Sequence, residues 1–309
     1  MLTFQSTKLI AIGEAMIEMA VTGPNTYQRS FAGDTFNTAW HMAQVLGTRG
    51  TVGFVTHVGD DTVSNAFIQQ NSADGLVTTG IGIDPNRSMG LYMIELQKTE
   101  RNFHYWRSQS AARLLADDPD WLMASIGGAG LIHLSGITLA ILSKVARDTL
   151  FKCIKTAQQN GARVSFDPNV RPKLWSSLDE ARATTARFLT VTDIALPSFE
   201  DEALLWGDIT PAATRKRLSK IGVTEIVVKN GAAAVAAMSD DTPISVETPI
   251  VEDIKDTSGA GDAFNAGYLV GRLMEKPQAD AIAIRQKMSS EVIRHFGARI
   301  PKVCIPELP

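Results

Sequence analysis

Short apolar runs alternating with longer segments of helical period place the tightest limit on how this chain can fold. Leu9-Ile10-Ala11-Ile12-Gly13 reads as a buried strand, and residues 51–55, 131–134, 163–166, 194–196 and 226–228 read similarly. Between such runs, residues 34–46 set Phe36, Ala39, Trp40 and Ala43 on one face, with Asp34 as the expected N-cap and Gly47 as the stop. Residues 143–159 and 210–221 repeat the helical pattern. Strands that are apolar on both faces must be covered on both faces. The expected class is therefore α/β, a three-layer αβα sandwich around a mostly parallel central sheet.

Two early regions break this rhythm. Residues 14–33 and 89–107 read as hairpins of β-prone runs around polar turns. In the second, Gly90-Leu91-Tyr92-Met93-Ile94-Glu95-Leu96 leads into a polar turn at 97–101 and then into Asn102-Phe103-His104-Tyr105-Trp106-Arg107. Both are expected to form a small β-sheet lid inserted into one domain spanning residues 1–309. A hydrophobic share of 44% is enough to fill such a core. The balance of 30 Lys and Arg against 33 Asp and Glu lacks the basic excess of a nucleic-acid binder. The two cysteines, Cys153 and Cys304, can build neither a disulfide framework nor a four-cysteine zinc site. With no apolar run of ~18 residues to suggest a membrane span, the expectation is a soluble cytoplasmic protein without nucleic-acid or membrane partners.

The sharpest local signal is Asp256-Thr257-Ser258-Gly259-Ala260-Gly261-Asp262, followed at once by the small and apolar residues 263–270, which read as a helix. Without Cβ atoms at Gly259 and Gly261, backbone amides can approach a bulky anion. The free N–H groups of a first helical turn, and the positive end of the helix dipole, point the same way. Asp262 then stands beside an anion site, either as a reacting acid or as a simple helix-capping one. Phe264 occupies the third glycine position of a dinucleotide turn, and no glycine precedes a lysine as a Walker loop requires. Hydrolase elbows and His-Glu-x-x-His pairs are missing as well. An acid beside an anion hole suits phosphoryl transfer to an alcohol. The amides neutralise charge on the phosphoryl oxygens, and the carboxylate takes the hydroxyl proton.

This stretch matches the C-terminal signature of the ribokinase-like (PfkB) family of sugar and nucleoside kinases, Asp-Thr-x-Gly-Ala-Gly-Asp, at every fixed position. Gly33-Asp34-Thr35-Phe36-Asn37-Thr38-Ala39 resembles the family's N-terminal sugar-binding signature, with Ala32 in place of its first glycine. The resemblance covers roughly residues 8–301. It implies a ribokinase-like sandwich with a β-sheet lid, ATP as phosphoryl donor and Mg2+ as cofactor. It also implies Asp262 as catalytic base, with Gly259, Ala260 and Gly261 as the anion hole. The family's Asn-x-x-Glu element corresponds to Ser198-Phe199-Glu200-Asp201, where both fixed positions differ. The acid serving magnesium is thereby open among Glu200, Asp201 and Glu202, with Asp201, acting through water, the one carried forward. Lys229-Asn230-Gly231 resembles the strand-end turn near the nucleotide phosphates. The expected nucleotide-binding residues are Ser198, Lys229, Gly231, Gly259 and Gly261.

Three further stretches resemble the family's sugar-acid kinases, which phosphorylate the 6-hydroxyl of 2-dehydro-3-deoxy-D-gluconate. They are Tyr105-Trp106-Arg107-Ser108, Leu134-Ser135-Gly136-Ile137-Thr138-Leu139-Ala140 and Phe166-Asp167-Pro168-Asn169-Val170-Arg171-Pro172. A sugar acid brings a carboxylate that must be paired when buried, and the planar fork of arginine suits it. The expected substrate contacts are Gly33, Asp34, Asn37, Tyr92, Tyr105, Arg107, Ile137, Arg171 and Asp262. Plainer alternatives stand beside them: Arg171 paired with Asp167, Arg107 as a solvated strand-end charge, and Asp34 as a cap alone. For the whole chain, a fructokinase or other ketose kinase is one alternative, and a non-catalytic sugar sensor on the same fold is another. The aromatic lid face leads us to expect a homo-oligomer.

Overall fold

The structure is a computed structural model that describes residues 2–97, 100–239 and 242–306. Among them, nine strands form the central sheet. Their order is Thr242–Val246, Val235–Ser239, Glu225–Val228, Ile194–Ala195, Arg163–Asp167, Leu131–Ser135, Lys8–Ile12, Thr51–Gly59 and Ile81–Asp84. From Glu225–Val228 across to Ile81–Asp84 every pairing is parallel. The strand Lys8–Ile12 shows why the sheet has two covered faces. Leu9 and Ala11 enter one apolar core, while Ile10 and Ile12 enter the other. The first core is closed by Phe36 and Trp40 of the helix Asp34–Leu46 and by Phe264 and Tyr268 of the helix Ala260–Leu273. The second is closed by Leu150 and Ile154 of Lys144–Gln159 and by Phe188 of Leu178–Leu189.

Ser143 and Thr210 cap their helices, each hydroxyl accepting a backbone N–H at 3.1 Å. The helix Asp34–Leu46 departs from expectation at its start. Gly33 is the N-cap, and Asp34 lies in the first turn. Close approach decides this: a Cβ on residue 33 would sit 2.1 Å from the carbonyl oxygen of Glu14. The antiparallel edge, Val235–Ser239 and Thr242–Val246, was not expected from the sequence pattern.

A second sheet of four strands has the order Thr26–Ala32, Met16–Gly23, Gly90–Gln97 and Glu100–Trp106. These strands come from the two regions that broke the α/β rhythm, and Met16–Gly23 pairs with Gly90–Gln97 in parallel. The polar turn expected at 97–101 includes Lys98 and Thr99, which lie outside the described residues. Ser30, Glu18, Tyr92 and Tyr105 stand in register across one face. The Ser30 hydroxyl donates to Glu18 at 2.7 Å, the Tyr92 hydroxyl donates to the same carboxylate, and the Tyr92 and Tyr105 rings lie 5.7 Å apart. At the root of this sheet, Phe31 packs edge-on against Phe67 at 5.2 Å, and Phe67 against Phe36 at 5.0 Å. Such pairs contribute about 0.5–1.5 kcal/mol each beyond area burial, which fixes the root. No helix among the described residues is long and apolar enough to cross a membrane.

Candidate active site

The parallel strands end where the N-termini of Asp34–Leu46 and Ala260–Leu273 converge, the crevice in which open α/β sheets bind ligands. Gly259 is the N-cap of the second helix, with φ 74°, and a Cβ there would come within 2.6 Å of the Ala298 Cα. Only glycine meets both conditions. Asp256 ties the turn together, accepting the Ser258 N–H at 2.9 Å and the Gly297 N–H at 2.8 Å. The Ala260 amide leans on the Thr257 carbonyl at 3.3 Å. The amides of Gly261 and Asp262 meet no acceptor among the described residues and are open to an anion.

Asp262 is half-buried, and its carboxyl accepts the Asn37 side-chain N–H at 2.8 Å. Thr38 donates its hydroxyl to the Asp262 carbonyl at 3.3 Å, locking the two helix N-termini together. Burial first, and the charge of Asp34 second, push the Asp262 carboxyl up to about 8, against the Asn37 hydrogen bond, which lowers it. Asp34 accepts the Asn169 side-chain N–H at 2.6 Å. The Asn37 side-chain oxygen is buried with no partner, and a ligand hydroxyl would satisfy it.

Beside the glycine turn, Asp167 ends its strand and accepts both Lys229 Nζ at 2.5 Å and the Asn265 side-chain N–H at 2.7 Å. Lys229 also donates to the Asn265 oxygen at 3.2 Å. Its ammonium lies 3.8 Å from where a Gly261 Cβ would stand. Ser198 is the N-cap of Phe199–Trp206 and bridges to Lys229, while Gly231 turns the chain at φ 56°. Of the three acids left open, Glu200 is exposed and Glu202 is buried in an ion pair with Arg217. Asp201 accepts the Val170 N–H at 3.2 Å, and burial plus the charge of Asp167 raise its carboxyl to about 6.

At the other end, Tyr92 is buried and Tyr105 is 53% exposed. Arg107 donates to buried Glu14, which also accepts the Ser110 hydroxyl at 2.5 Å. Arg107 Nε is buried without a partner. It is thus an enclosed ion pair rather than a solvated strand-end charge. Burial raises the Glu14 carboxyl. Arg171 donates to the Val170 carbonyl at 2.9 Å, and its side chain, 54% exposed, lies 3.9 Å from Asp201. Its acid partner is therefore Asp201, while Asp167 is paired with Lys229. Ile137 is half-buried in Gly136–Ile141, the helix that follows the strand Leu131–Ser135. Sequence reasoning assigned no role here to Glu14, Asn169 or Asn265. The available signal was position: Glu14 and Asn169 each lie two residues past a buried strand, and Asn265 lies one turn beyond Asp262.

The description "pfkB family carbohydrate kinase" matches residues 6–303, and the chain belongs to that family. It is 37% identical over 310 residues to the 2-dehydro-3-deoxygluconokinase of Haemophilus influenzae, covering 97% of this chain and 98% of that protein. It is 38% identical over 310 residues to the 2-dehydro-3-deoxygluconokinase of Dickeya dadantii, covering 97% and 99%. Among solved structures, a ribokinase II of Escherichia coli in complex with ATP and Mg2+ superimposes with a TM-score of 0.83 at 24% identity, covering 94% of each chain. The fold is thus ribokinase-like.

Proposed function

We propose that this kinase transfers the γ-phosphoryl group of ATP to the 6-hydroxyl of 2-dehydro-3-deoxy-D-gluconate. The observation that carries the chemistry is Asp262, a carboxyl held by Asn37 on the same helical turn as two open amides. In its ionised form Asp262 takes the proton of the 6-hydroxyl. The freed oxygen forms its bond to the γ-phosphorus as the bond to the ADP oxygen breaks. The turn Gly259-Ala260-Gly261, with Lys229 beside it, steadies the phosphoryl oxygens in line. The donor set fits a nucleotide and its cation, since open amides lie beside the Lys229 ammonium, and Asp201 is a carboxyl whose pKa is raised by burial first and by the charge of Asp167 second. Magnesium, when bound, neutralises phosphate charge, and Asp201 would hold it through water. Ser198 and Gly231 flank the nucleotide.

The relatives' shared name supports the sugar acid as acceptor. Asp34 and Asn37, seated beside Gly33, address its hydroxyls, Tyr92 and Tyr105 cover it, Ile137 gives an apolar wall, and Arg107 and Arg171 answer its negative charge. Exposure supports the role of Arg171, whose side chain is more than half exposed, while Glu14 holds Arg107 in place at the end of the lid strand. The same proposal includes a homo-oligomer, because the outer lid strand exposes Phe103, Tyr105 and Trp106. Work in a reducing cytoplasm suits the two free cysteines.

The test is ADP release with ATP and Mg2+ on a panel of the keto-deoxy acid, fructose, ribose and adenosine. The expected result is a preference for the acid of at least ~10² in kcat/KM, with two charge-assisted contacts each contributing about 1.5–3 kcal/mol. Phosphorus NMR of the product should place the phosphate on C6. A preference for fructose would turn the reading into a ketose kinase, and no turnover on any acceptor would turn it into a sensor.

A further inference from the structure

A cluster of metal-ligating side chains stands apart from the residues described above. Glu291 lies in the last turn of Gln278–Val292, His295 one turn beyond it, and Cys304 ends the short turn Lys302–Cys304. One ligand atom from each lies within 4.8 Å of the other two. His295 Nε2 and Glu291 are already 2.9 Å apart, and all three residues are partly exposed. Arg294, 3.3 Å from Glu291, is a surface partner that is easily exchanged. Tetrahedral zinc with bonds of about 2.0–2.3 Å needs donor separations of roughly 3.3–3.7 Å. Side-chain rotation of about 1 Å closes that difference. A carboxylate, an imidazole and a thiolate form a borderline-soft set that suits zinc and disfavours magnesium or calcium. Three protein ligands leave the fourth position to water.

We infer that Glu291, His295 and Cys304 form a zinc-type site that fastens residues 293–304 behind the catalytic turn. That segment carries much of the site's support. Gly297 donates to Asp256, and Ala298 fills the space a side chain at Gly259 would need. His41 Nε2 meets the Ala298 carbonyl at 3.0 Å, and burial lowers its pKa to about 4, so it is the neutral ring that donates. Arg299 donates to the Phe31 carbonyl at the lid root at 2.8 Å. On its lid side the segment borders a cavity of about 580 Å³, lined by Glu18, Trp40, Asp74 and His295 among others, rather than packed core. A metal joining residues 291, 295 and 304 closes that loop and restricts the freedom the packing leaves.

The test is a titration of the metal-free protein with Co2+ as probe. One equivalent should bind with a thiolate-to-cobalt absorption band, and Zn2+ should displace it. The band should survive Cys153→Ser and vanish in Cys304→Ser, while His295→Gln should weaken binding at least ~10-fold. Saturating Zn2+ should raise the melting temperature of the unaltered chain by at least ~2 °C and leave Cys304→Ser unmoved, both melting alike without metal. Failure to saturate at one equivalent, or a band that persists in Cys304→Ser, overturns the site. None of these readouts depends on kinase turnover.

Discussion

At the phosphoryl end, Lys229 is buried and bonded to both Asp167 and Asn265. At the sugar-acid end, Arg107 shares its charge with Glu14 and keeps one N–H unmet, while the Arg171 side chain is more than half exposed and 3.9 Å from its nearest acid. The first end is finished before any ligand arrives. Its dipoles and charges need no reorganisation when phosphorus moves, which is where fixed electrostatics contribute most. The second end sets an enclosed Arg107–Glu14 pair beside the exposed Arg171 side chain, which can turn toward a carboxylate. Chemistry common to many acceptors sits on backbone and buried pairs, and the choice of one acceptor draws also on an exposed side chain free to adjust, that of Arg171.

Breaking the rigid end should cost most. Lys229→Met leaves Asp167 as a buried, uncompensated charge and should lower unfolding stability by about 3–5 kcal/mol, read by urea denaturation. A loss below 1 kcal/mol would mean the pair is not held as described. Asp262→Asn keeps the shape but removes the base. It should cut kcat by at least about 10² with a modest change in sugar KM. Near-normal turnover would take the base assignment away.

Effects at the adjustable end should be smaller and selective. Arg171→Ala should raise KM for the keto-deoxy acid about 10–10²-fold while leaving residual fructose use within a few-fold. Equal losses on both substrates would remove the carboxylate contact. The smallest effect sharpens the boundary between the ends. With the Asp262 carboxyl raised to about 8, the reactive ionised form grows as pH rises, so kcat/KM should climb from pH 6 and level off above pH 8. Asn37 stabilises the ionised form, so Asn37→Ala should move that limb to higher pH. A limb that stays in place, or moves down, would show that this hydrogen bond does not tune the base.

Much of this was legible because it follows from local chemistry. The strand Lys8–Ile12 is apolar at every other position on both faces, which only a covered parallel sheet accommodates. The turn at Gly259 carries its own geometry in two missing Cβ atoms. What was not legible depended on contacts between distant residues. Asp34 looked like a cap until the Glu14 carbonyl, far away in sequence, forced glycine at position 33. Glu14 gave no sign that it would meet Arg107, since nothing local links a strand-end acid to the far edge of another sheet. The strand Val235–Ser239, with two alanines and a methionine, has weak β character and takes its register from Glu225–Val228 on one side and Thr242–Val246 on the other. The acid near Ser198 was ambiguous in sequence because three acids are consecutive. Only their helical directions separate Asp201 from the others.

The wedge of Gly297 and Ala298 against Gly259 also has a temporal consequence. A nascent chain that has just emitted Asp262 already holds both of its signature segments, yet the turn between Asp256 and Gly259 is still unpropped. The prop is translated only after another long helix, so phosphotransfer competence should be among the last properties the emerging polypeptide acquires.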